Sequence, residues 1–153
     1  MTGPDVPLAR LFAIGYRALV DALHERLAAR GWTDVRPAYG FVLLALRDGP
    51  ASLRDLPATL GTSKQAVSKL VDAMVADGYV ARDADPRDAR AKRVRLSARG
   101  RDLLAAVEEV YQELESGWAD VLGAPRLATL RADLTAALRA TSGGSLPAVR
   151  TVG

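Results

Sequence analysis

The fold is decided by residues 62–96, TSKQAVSKLVDAMVADGYVARDADPRDARAKRVRL. The first part, 62–77, has apolar side chains at the three- and four-residue spacing of one helix face: Val67, Leu70, Val71, Met74 and Val75. Thr62 is the predicted N-cap of this helix, since Gln65 three residues later can complete a capping box. Gly78 is expected to end the helix, because glycine readily adopts the left-handed conformation that follows many last turns.

The second part of the stretch predicts a β-hairpin with a high density of positive charge. Two strand-like runs, 79–80 and 94–96, flank a turn-rich segment at 83–93. Residues 82–101 hold eight cationic and three anionic side chains, hence +5, although the whole chain carries only +3. A basic patch beside an exposed helix end is the electrostatic footprint of a protein that binds duplex DNA. The alternative interpretation is a solvated hairpin with ordinary surface charge.

These residues resemble the recognition helix and wing of MarR-type transcription regulators. The matching runs are Leu60-Gly61, Ser68-Lys69-Leu70-Val71-Asp72, Asp77-Gly78-Tyr79-Val80-Ala81-Arg82, the wing signature Asp85-Pro86-Arg87-Asp88-Ala89-Arg90, Val94-Arg95-Leu96-Ser97 and Gly100. The usual wing has a pair of arginines after its second aspartate, whereas this chain has Ala89 and then Arg90. The resemblance covers about residues 8–140. It implies a winged helix-turn-helix protein that regulates transcription.

Length and composition predict one folded domain, or one domain with a helical extension. Of the 153 residues, 49% are hydrophobic and 25% charged, as in ordinary folded proteins. No apolar run approaches the roughly 20 residues that span a bilayer, and the start, MTGPDVPLAR, lacks the pattern of a signal peptide. We therefore expect a cytoplasmic protein with no membrane partner. The absence of cysteine and the lone histidine, His24, predict no metal site, and no other cofactor is expected.

The first and last helices predict a subunit interface. A helix over residues 8–30 carries two adjacent apolar stripes, so it is expected to be buried on more than one side. A helix capped by Ser97 and ending near 122, and another opened by Pro125, carry leucine stripes that the central region is too small to cover. Large uncovered apolar faces mark an interface. The resemblance implies that such helices interleave in a symmetric homodimer.

Between these helices, the pattern predicts the DNA-binding part. Pro37 is expected in the first turn of a second helix, and Ser52 is expected to cap a short third helix. Pro57 is unfavourable inside that third helix, so a short or irregular element is expected. The predicted fold is mainly α with a small β-hairpin wing, a winged helix-turn-helix flanked by dimerisation helices.

The expected domain bounds follow from these elements. They are an N-terminal dimerisation helix (1–35), a winged helix-turn-helix region (36–97), C-terminal dimerisation helices (98–141) and a flexible tail (142–153). The tail is assigned on its content of glycine, serine and proline.

The leading functional hypothesis is a sequence-specific regulator of transcription that acts as a homodimer on a pseudo-palindromic operator in double-stranded DNA. A two-fold dimer places two recognition helices in successive major grooves, about 34 Å apart. Candidates for base and nearby phosphate contacts lie at the start of the recognition helix: Ser63, Lys64, Gln65, Ser68 and Lys69. Arg90 is the candidate for insertion into the minor groove, and Asp88 is expected to orient it. Further phosphate contacts are expected from Arg54, Arg87, Lys92 and Arg93.

Two other classes of function compete with this hypothesis. A winged helix can serve protein–protein contacts without sequence-specific DNA binding, although the cations of the wing disfavour that use. An enzyme is not expected, because the chain shows no Gly-rich phosphate loop and no hydroxyl–base arrangement. The glutamates of the helix after Ser97 have the spacing of a solvated face rather than of an acid–base pair: Glu108, Glu109, Glu113 and Glu115.

The resemblance also implies a small aromatic or amphipathic effector, which would relieve repression from a cleft where the dimer helices meet the DNA-binding lobe. Six aromatic residues are candidates to line such a cleft: Phe12, Tyr16, Trp32, Tyr39, Phe41 and Tyr111. The alternative for each of them is an ordinary place in the hydrophobic core.

Overall fold

A computed structural model describes residues 5–146 of the chain. The helices and strands of this range are α1 (Leu8–Ala29), α2 (Tyr39–Ala45), β1 (Ala51–Ser52), α3 (Leu56–Leu60), α4 (Lys64–Ala76), β2 (Val80–Asp85), β3 (Asp88–Leu96), α5 (Ala98–Leu122) and α6 (Ala124–Thr141). The mainly helical winged helix-turn-helix that the sequence predicts is confirmed. None of the helices in this range is both long and apolar enough to cross a membrane. Of the predicted tail, residues 147–153 lie outside the described part of the chain.

The hydrophobic core lies where the helix-turn-helix meets α1 and α5. α4 buries Val67, Val71 and Met74 on the face that its apolar spacing predicts. Leu27 of α1 and Leu103 of α5 pack in the same cluster, and both are fully buried. This shared core joins α4, the wing strands and the two long helices in one cluster.

The outer helices leave much apolar surface uncovered in a single chain. α6 has no buried residue, and of the 22 residues of α1 only Leu23 and Leu27 are buried. The large hydrophobic side chains that remain exposed on the three long helices are Leu8, Leu11, Phe12, Ile14, Tyr16, Trp118, Val121, Leu130 and Leu138. Exposed apolar surface of this kind is typical of an interaction site.

The start of α4 differs from the prediction by one residue. Ser63, not Thr62, is the N-cap, and its Oγ accepts a hydrogen bond from the backbone N–H of Ala66 at 3.1 Å. Thr62 belongs to the end of α3, because its N–H donates to the carbonyl of Pro57 across the left-handed Gly61. The predicted capping box between Thr62 and Gln65 is therefore wrong.

The region before α4 also differs from the prediction. Ser52 does not cap α3 but lies in strand β1, where it pairs with Arg93 of β3. α3 begins only at Leu56, so Pro57 occupies its first turn, where a missing N–H costs no hydrogen bond. The sheet consequently has three strands in the order β1-β3-β2 instead of the two of a simple hairpin. Pro37 lies in a turn just before α2 rather than in its first turn.

The wing strands are longer than predicted, since the supposedly turn-rich segment 83–93 is mostly β-strand. At the other end of the hairpin, Ser97 caps α5 as predicted, and its Oγ accepts from the N–H of Gly100 at 3.0 Å. Gly100 lies so close to the start of the wing that an added Cβ would be 2.0 Å from the carbonyl oxygen of Tyr79.

We expect Gly100→Ala to lower the free energy of unfolding by about 1–3 kcal/mol, because the backbone must move to relieve the contact with Tyr79. The matched control is Gly117→Ala in the same helix, where an added Cβ meets nothing within 4 Å. That substitution should raise stability by about 0.5–1 kcal/mol through helix propensity. Urea unfolding of both variants at one protein concentration measures the difference, and equal stability of the two would contradict the close packing.

Candidate nucleic-acid interface

The start of α4 presents a row of side chains to solvent. Lys64, Gln65 and Lys69 are exposed, whereas Ser68 is half-buried. Ser63 differs from them, because its hydroxyl is engaged in the N-cap. Since Gln65 takes no part in the cap, its amide is free to meet another partner. This surface is fixed by the buried apolar face on the opposite side of the same helix.

The tip of the wing is shaped by two aspartates that each close a turn. Asp85 Oδ1 accepts from the backbone N–H of Arg87 at 2.9 Å, and Asp88 Oδ1 accepts from that of Arg90 at 3.0 Å. The pattern Asp-x-Arg occurs twice in succession. Each time the aspartate side chain accepts a hydrogen bond from the backbone N–H two residues later, as aspartate often does in turns. Asp88 thus fixes the main chain at Arg90 rather than holding its guanidinium.

Arg90 lies in a bulge and not at the turn itself. The β2–β3 register pairs Ala84 with Lys92 and then Asp85 with Asp88, so residues 89–91 have no partner on β2. Both Arg87 at the tip and Arg90 in the bulge are exposed. A bulge re-aims the side chains beside it, and Arg90 lies outside the regular β2–β3 pairing.

The remaining arginines of the wing are held in ion pairs within the chain. Asp83 accepts from Arg93 Nε at 2.7 Å and from Arg95 Nε at 3.0 Å. The hydrogen bond from Arg93, followed by that from Arg95, lowers the pKa of Asp83. Arg82 pairs with Asp72 and so ties β2 to α4. Of the predicted phosphate contacts, Arg93 is therefore held in a close internal ion pair, at a shorter distance than the pair formed by Arg54.

The wing therefore carries arginines held in internal ion pairs and other cations that are exposed and form none in the described part of the chain. Arg87, Arg90 and Lys92 are exposed on the wing, and within residues 5–146 none of them forms an ion pair. Arg54, on the turn before α3, is 75% exposed and stands 4.0 Å from Asp88. The three lysines of the sequence, Lys64, Lys69 and Lys92, all lie on α4 or β3.

A buried pair of tyrosines, which the sequence did not indicate, lies behind this surface. Tyr39 donates its hydroxyl to Asp77 at 2.5 Å, and Tyr79 donates to Asp34 at 2.6 Å. The two rings meet edge to face with centroids 5.8 Å apart. Burial and the bond to Asp77 raise the pKa of Tyr39 to about 12, and burial also raises the pKa of Tyr79. Both phenols therefore stay protonated and act as donors.

Arg99 at the start of α5 covers this cluster from outside. Its guanidinium carbon lies 4.9 Å from the ring centroid of Tyr79 and 5.5 Å from that of Trp32. Such stacking stabilises the cation through the ring faces. Trp32 and Tyr39, two of the predicted effector contacts, are thus placed in a structural cluster and do not line the cleft.

A separate cavity of about 280 Å³ opens between α1, α2 and α5. Three of the predicted aromatic residues line it, namely Tyr16, Phe41 and Tyr111, while Phe12 lies outside it on the exposed face of α1. The other side chains of its wall are mostly aliphatic, with polar groups from His24, Arg47 and Glu108. Arg47 and Glu108 form an ion pair at 3.1 Å. Burial lowers the pKa of His24, which favours the neutral imidazole.

The glutamates of α5 are not simply a solvated face. Glu109 and Glu113 both pair with Arg30, the residue that follows α1, and Glu113 also accepts from Arg26 of α1 at 3.0 Å. These bonds hold α1 against α5 at their exposed edge, where each ion pair contributes modestly to stability. Within the described residues, no cluster of acidic or histidine side chains could hold a metal ion.

Comparison with known proteins gives one consistent family. The sequence model of the MarR family matches residues 33–91. The exopolysaccharide II synthesis transcriptional activator ExpG of Rhizobium meliloti (strain 1021) is 30% identical over 108 residues, which cover 71% of this chain and 56% of that relative. The chain therefore spans little more than half the length of this curated relative.

Solved structures agree with the sequence comparison. Wild-type MarR from E. coli in its apo form superposes with a TM-score of 0.73 at 25% identity, over 89% of this chain and 99% of that one. A cysteine-to-serine mutant of MarR from E. coli, complexed with operator DNA, gives a TM-score of 0.70 at 26% identity, over 87% of this chain and 94% of that one.

We expect Ser63→Ala to lower the free energy of unfolding by about 1 kcal/mol, because it removes the side-chain acceptor at the N-cap of α4. Gln65→Ala should change stability by less than about 0.5 kcal/mol, since the amide caps nothing and alanine favours helix. Thermal and urea unfolding measure both. A larger loss of unfolding free energy for Gln65→Ala than for Ser63→Ala would contradict this assignment and favour the capping box between Thr62 and Gln65.

Proposed function

The chain belongs to the MarR family of transcription regulators, and on this premise we propose that it binds a pseudo-palindromic operator in double-stranded DNA as a homodimer. One observation carries the proposal: α4 presents a row of exposed polar side chains, and the adjoining wing presents cations that form no ion pair within the described residues. Lys64, Gln65 and Lys69 would meet the major groove, and Arg90 would enter the neighbouring minor groove. Because the partner is chromosomal DNA, the proposed location is the cytoplasm.

The charge distribution supports duplex DNA as the ligand. The hairpin carries three cations that form no ion pair within the described residues, namely Arg87, Arg90 and Lys92. The aspartates of the wing instead accept hydrogen bonds from backbone N–H groups in the turns or from arginines of the wing. Phosphate contacts position a protein on DNA without reading sequence. The side chains of α4 would therefore supply base recognition, and those of the wing would supply affinity and register. A related solved structure, the MarR mutant from E. coli complexed with operator DNA, supports duplex DNA as the ligand.

The uncovered apolar faces of α1, α5 and α6 support the homodimer. A second copy would bury side chains such as Leu11, Ile14 and Val121 that are exposed in the single chain. Burial of apolar surface contributes roughly 25 cal/mol per Å², so helices this apolar favour association strongly. Two-fold symmetry would then place the two copies of α4 about 34 Å apart, as successive major grooves require.

The cavity between α1, α2 and α5 supports regulation by a small aromatic or amphipathic effector. Tyr16, Phe41 and Tyr111 place aromatic rings in its wall, among mostly aliphatic side chains. Such a ligand can release DNA only by binding the DNA-incompetent arrangement more tightly than the competent one. At an operator that overlaps a promoter, release by the effector makes the protein a repressor. The family is one of transcriptional regulators and not of enzymes, and no catalytic role is proposed.

Two experiments test the proposal. Footprinting on the DNA around the gene tests operator binding, and sedimentation tests the homodimer. We expect protection of two half-sites centred about 10–10.5 base pairs apart, and a particle of twice the 16.2 kDa chain mass at micromolar concentration. A monomer would remove the two-half-site arrangement. A dimer that protects no DNA would favour the alternative, a winged helix used for protein–protein contact.

Arg90→Ala should weaken operator binding by about 1–3 kcal/mol, the scale for one well-placed arginine contact. The loss should be largest where the half-site flanks are rich in A·T, because a narrow minor groove concentrates negative potential. Arg17→Ala, on α1 and outside the wing, is the charge-matched control. Titration of labelled operators with both variants measures the difference, and equal losses would argue against a specific role for the bulge.

Lys92→Ala should lower the slope of log affinity against log salt by about one unit per subunit, because it removes a free phosphate contact. Arg93→Ala should change this slope less, since its guanidinium is already paired with Asp83, and should instead lower the stability of the wing. The slopes follow from operator titrations between about 50 and 200 mM salt. The reverse ranking would mean that Arg93 leaves Asp83 for phosphate.

A further inference from the structure

One short segment of the chain belongs both to the wall of the cavity and to the support of the recognition helix. Pro37, Gly40 and Phe41 line the cavity. Tyr39, which lies between them, faces away from it and is completely buried. Residues two apart in a helix lie on nearly opposite sides, so Phe41 and Tyr39 place this segment between two different neighbours.

The neighbour of Tyr39 is the end of α4. The hydroxyl of Tyr39 donates to the carboxylate of Asp77 at 2.5 Å. Asp77 is the C-cap residue of α4, and its backbone N–H donates to the carbonyl of Ala73 at 2.9 Å. The opposite end of the same helix carries Lys64 and Gln65, which form the proposed DNA-contacting row. A displacement of Asp77 therefore tilts the helix that presents that row, because a helix of 13 residues moves largely as a rigid rod.

The surroundings of Tyr39 leave it little freedom to yield. Its ring lies edge-on against Tyr79, whose backbone N–H donates to the carbonyl of Met74 in the last turn of α4. Tyr79 is itself bonded to Asp34 in the loop between α1 and α2. The loop and α2 are thus joined to the end of α4 at two points, one through each phenol. Val35, next to Asp34, also lines the cavity, but the bond of Tyr39 joins a cavity-lining segment directly to the C-cap residue of α4.

We propose that the hydrogen bond between Tyr39 and Asp77 couples occupancy of the cavity to the position of α4, an inference that rests on the proposed function. An occupant that pushes the wall at Pro37 and Phe41 outward moves the backbone of Tyr39 with it. The end of α4 must follow, or the bond must break and leave a buried phenol without a partner, which is costly. Tyr39 is therefore a positioning residue that touches neither the occupant nor DNA.

The absence of cysteine from the sequence allows a defined occupant to be attached. Val20→Cys introduces one thiol on the α1 wall of the cavity, and benzyl methanethiosulfonate then adds an aromatic ring there through a disulfide. Ala28→Cys, on the exposed face of the same helix, is the matched control for modification. Mass spectrometry establishes complete reaction of the full-length chain. Operator affinity is measured before and after modification, with Tyr39 present and with Tyr39→Phe.

Modification of the Val20→Cys variant should weaken operator binding roughly tenfold, within the usual range of coupling between sites. Modification of the Ala28→Cys variant should leave it unchanged. With Tyr39→Phe, which removes the hydroxyl but keeps the ring, the loss on modification at position 20 should largely disappear. Asp77→Asn, which retains an acceptor for the phenol, should preserve the loss, whereas Asp77→Ala should abolish it.

An equal loss with and without the Tyr39 hydroxyl would place the coupling elsewhere, and no loss in either background would show that the cavity does not act on α4. Either result overturns the inference. Should Tyr39→Phe fail to fold, Asp77→Ala provides the same comparison from the other side of the bond. Failure of the proposed function has a different signature, because the unmodified wild-type chain would then bind no operator.

Discussion

The junction at Ser97 is the constraint on which the rest of the structure depends. Its backbone N–H donates to the carbonyl of Tyr79 at 3.0 Å, and its Oγ donates to that of Gly78 at 2.5 Å while accepting from the N–H of Gly100. One residue therefore ends the second wing strand, caps α5 and holds the chain as it leaves α4. α4, the wing and α5 meet here so closely that no space is left for a Cβ at Gly100.

The long helices could be predicted because their signal is local. Apolar spacing over many residues placed α1, α4, α5 and α6 within a few residues of their bounds. β1 could not be predicted, since its two residues carry no period and become a strand only by pairing with β3, some 40 positions later. The N-cap of α4 was misplaced for a related reason. Thr62 and Ser63 are both good caps, and the closure of α3 at Gly61 decides between them by engaging Thr62.

The site was predicted in composition but not in pairing. The sequence indicated the aspartates and arginines of the wing, yet Asp83 and Arg93 meet only because the strand register sets them opposite each other. The tyrosine–aspartate bonds escaped prediction for the same reason, since Tyr39 and Asp77 are 38 positions apart. Only three of the six aromatic candidates line the cavity. Aromatic character alone does not show whether a side chain lies in a cavity wall or in the hydrophobic core.

The placement of the lysines has a chemical consequence. Arginine supplies 18 of the 21 basic side chains, and the three lysines lie on α4 and β3 alone. Primary amines and guanidinium groups differ in reactivity, because only the amine loses its proton readily and becomes a nucleophile. Acylation of lysine side chains in this protein therefore neutralises charge on the proposed DNA-contacting surface and nowhere else. Lysine side chains that an amine-specific reagent modifies, located by peptide mapping, would accordingly report the occupancy of that surface, and the ion pairs made by arginine would be left intact.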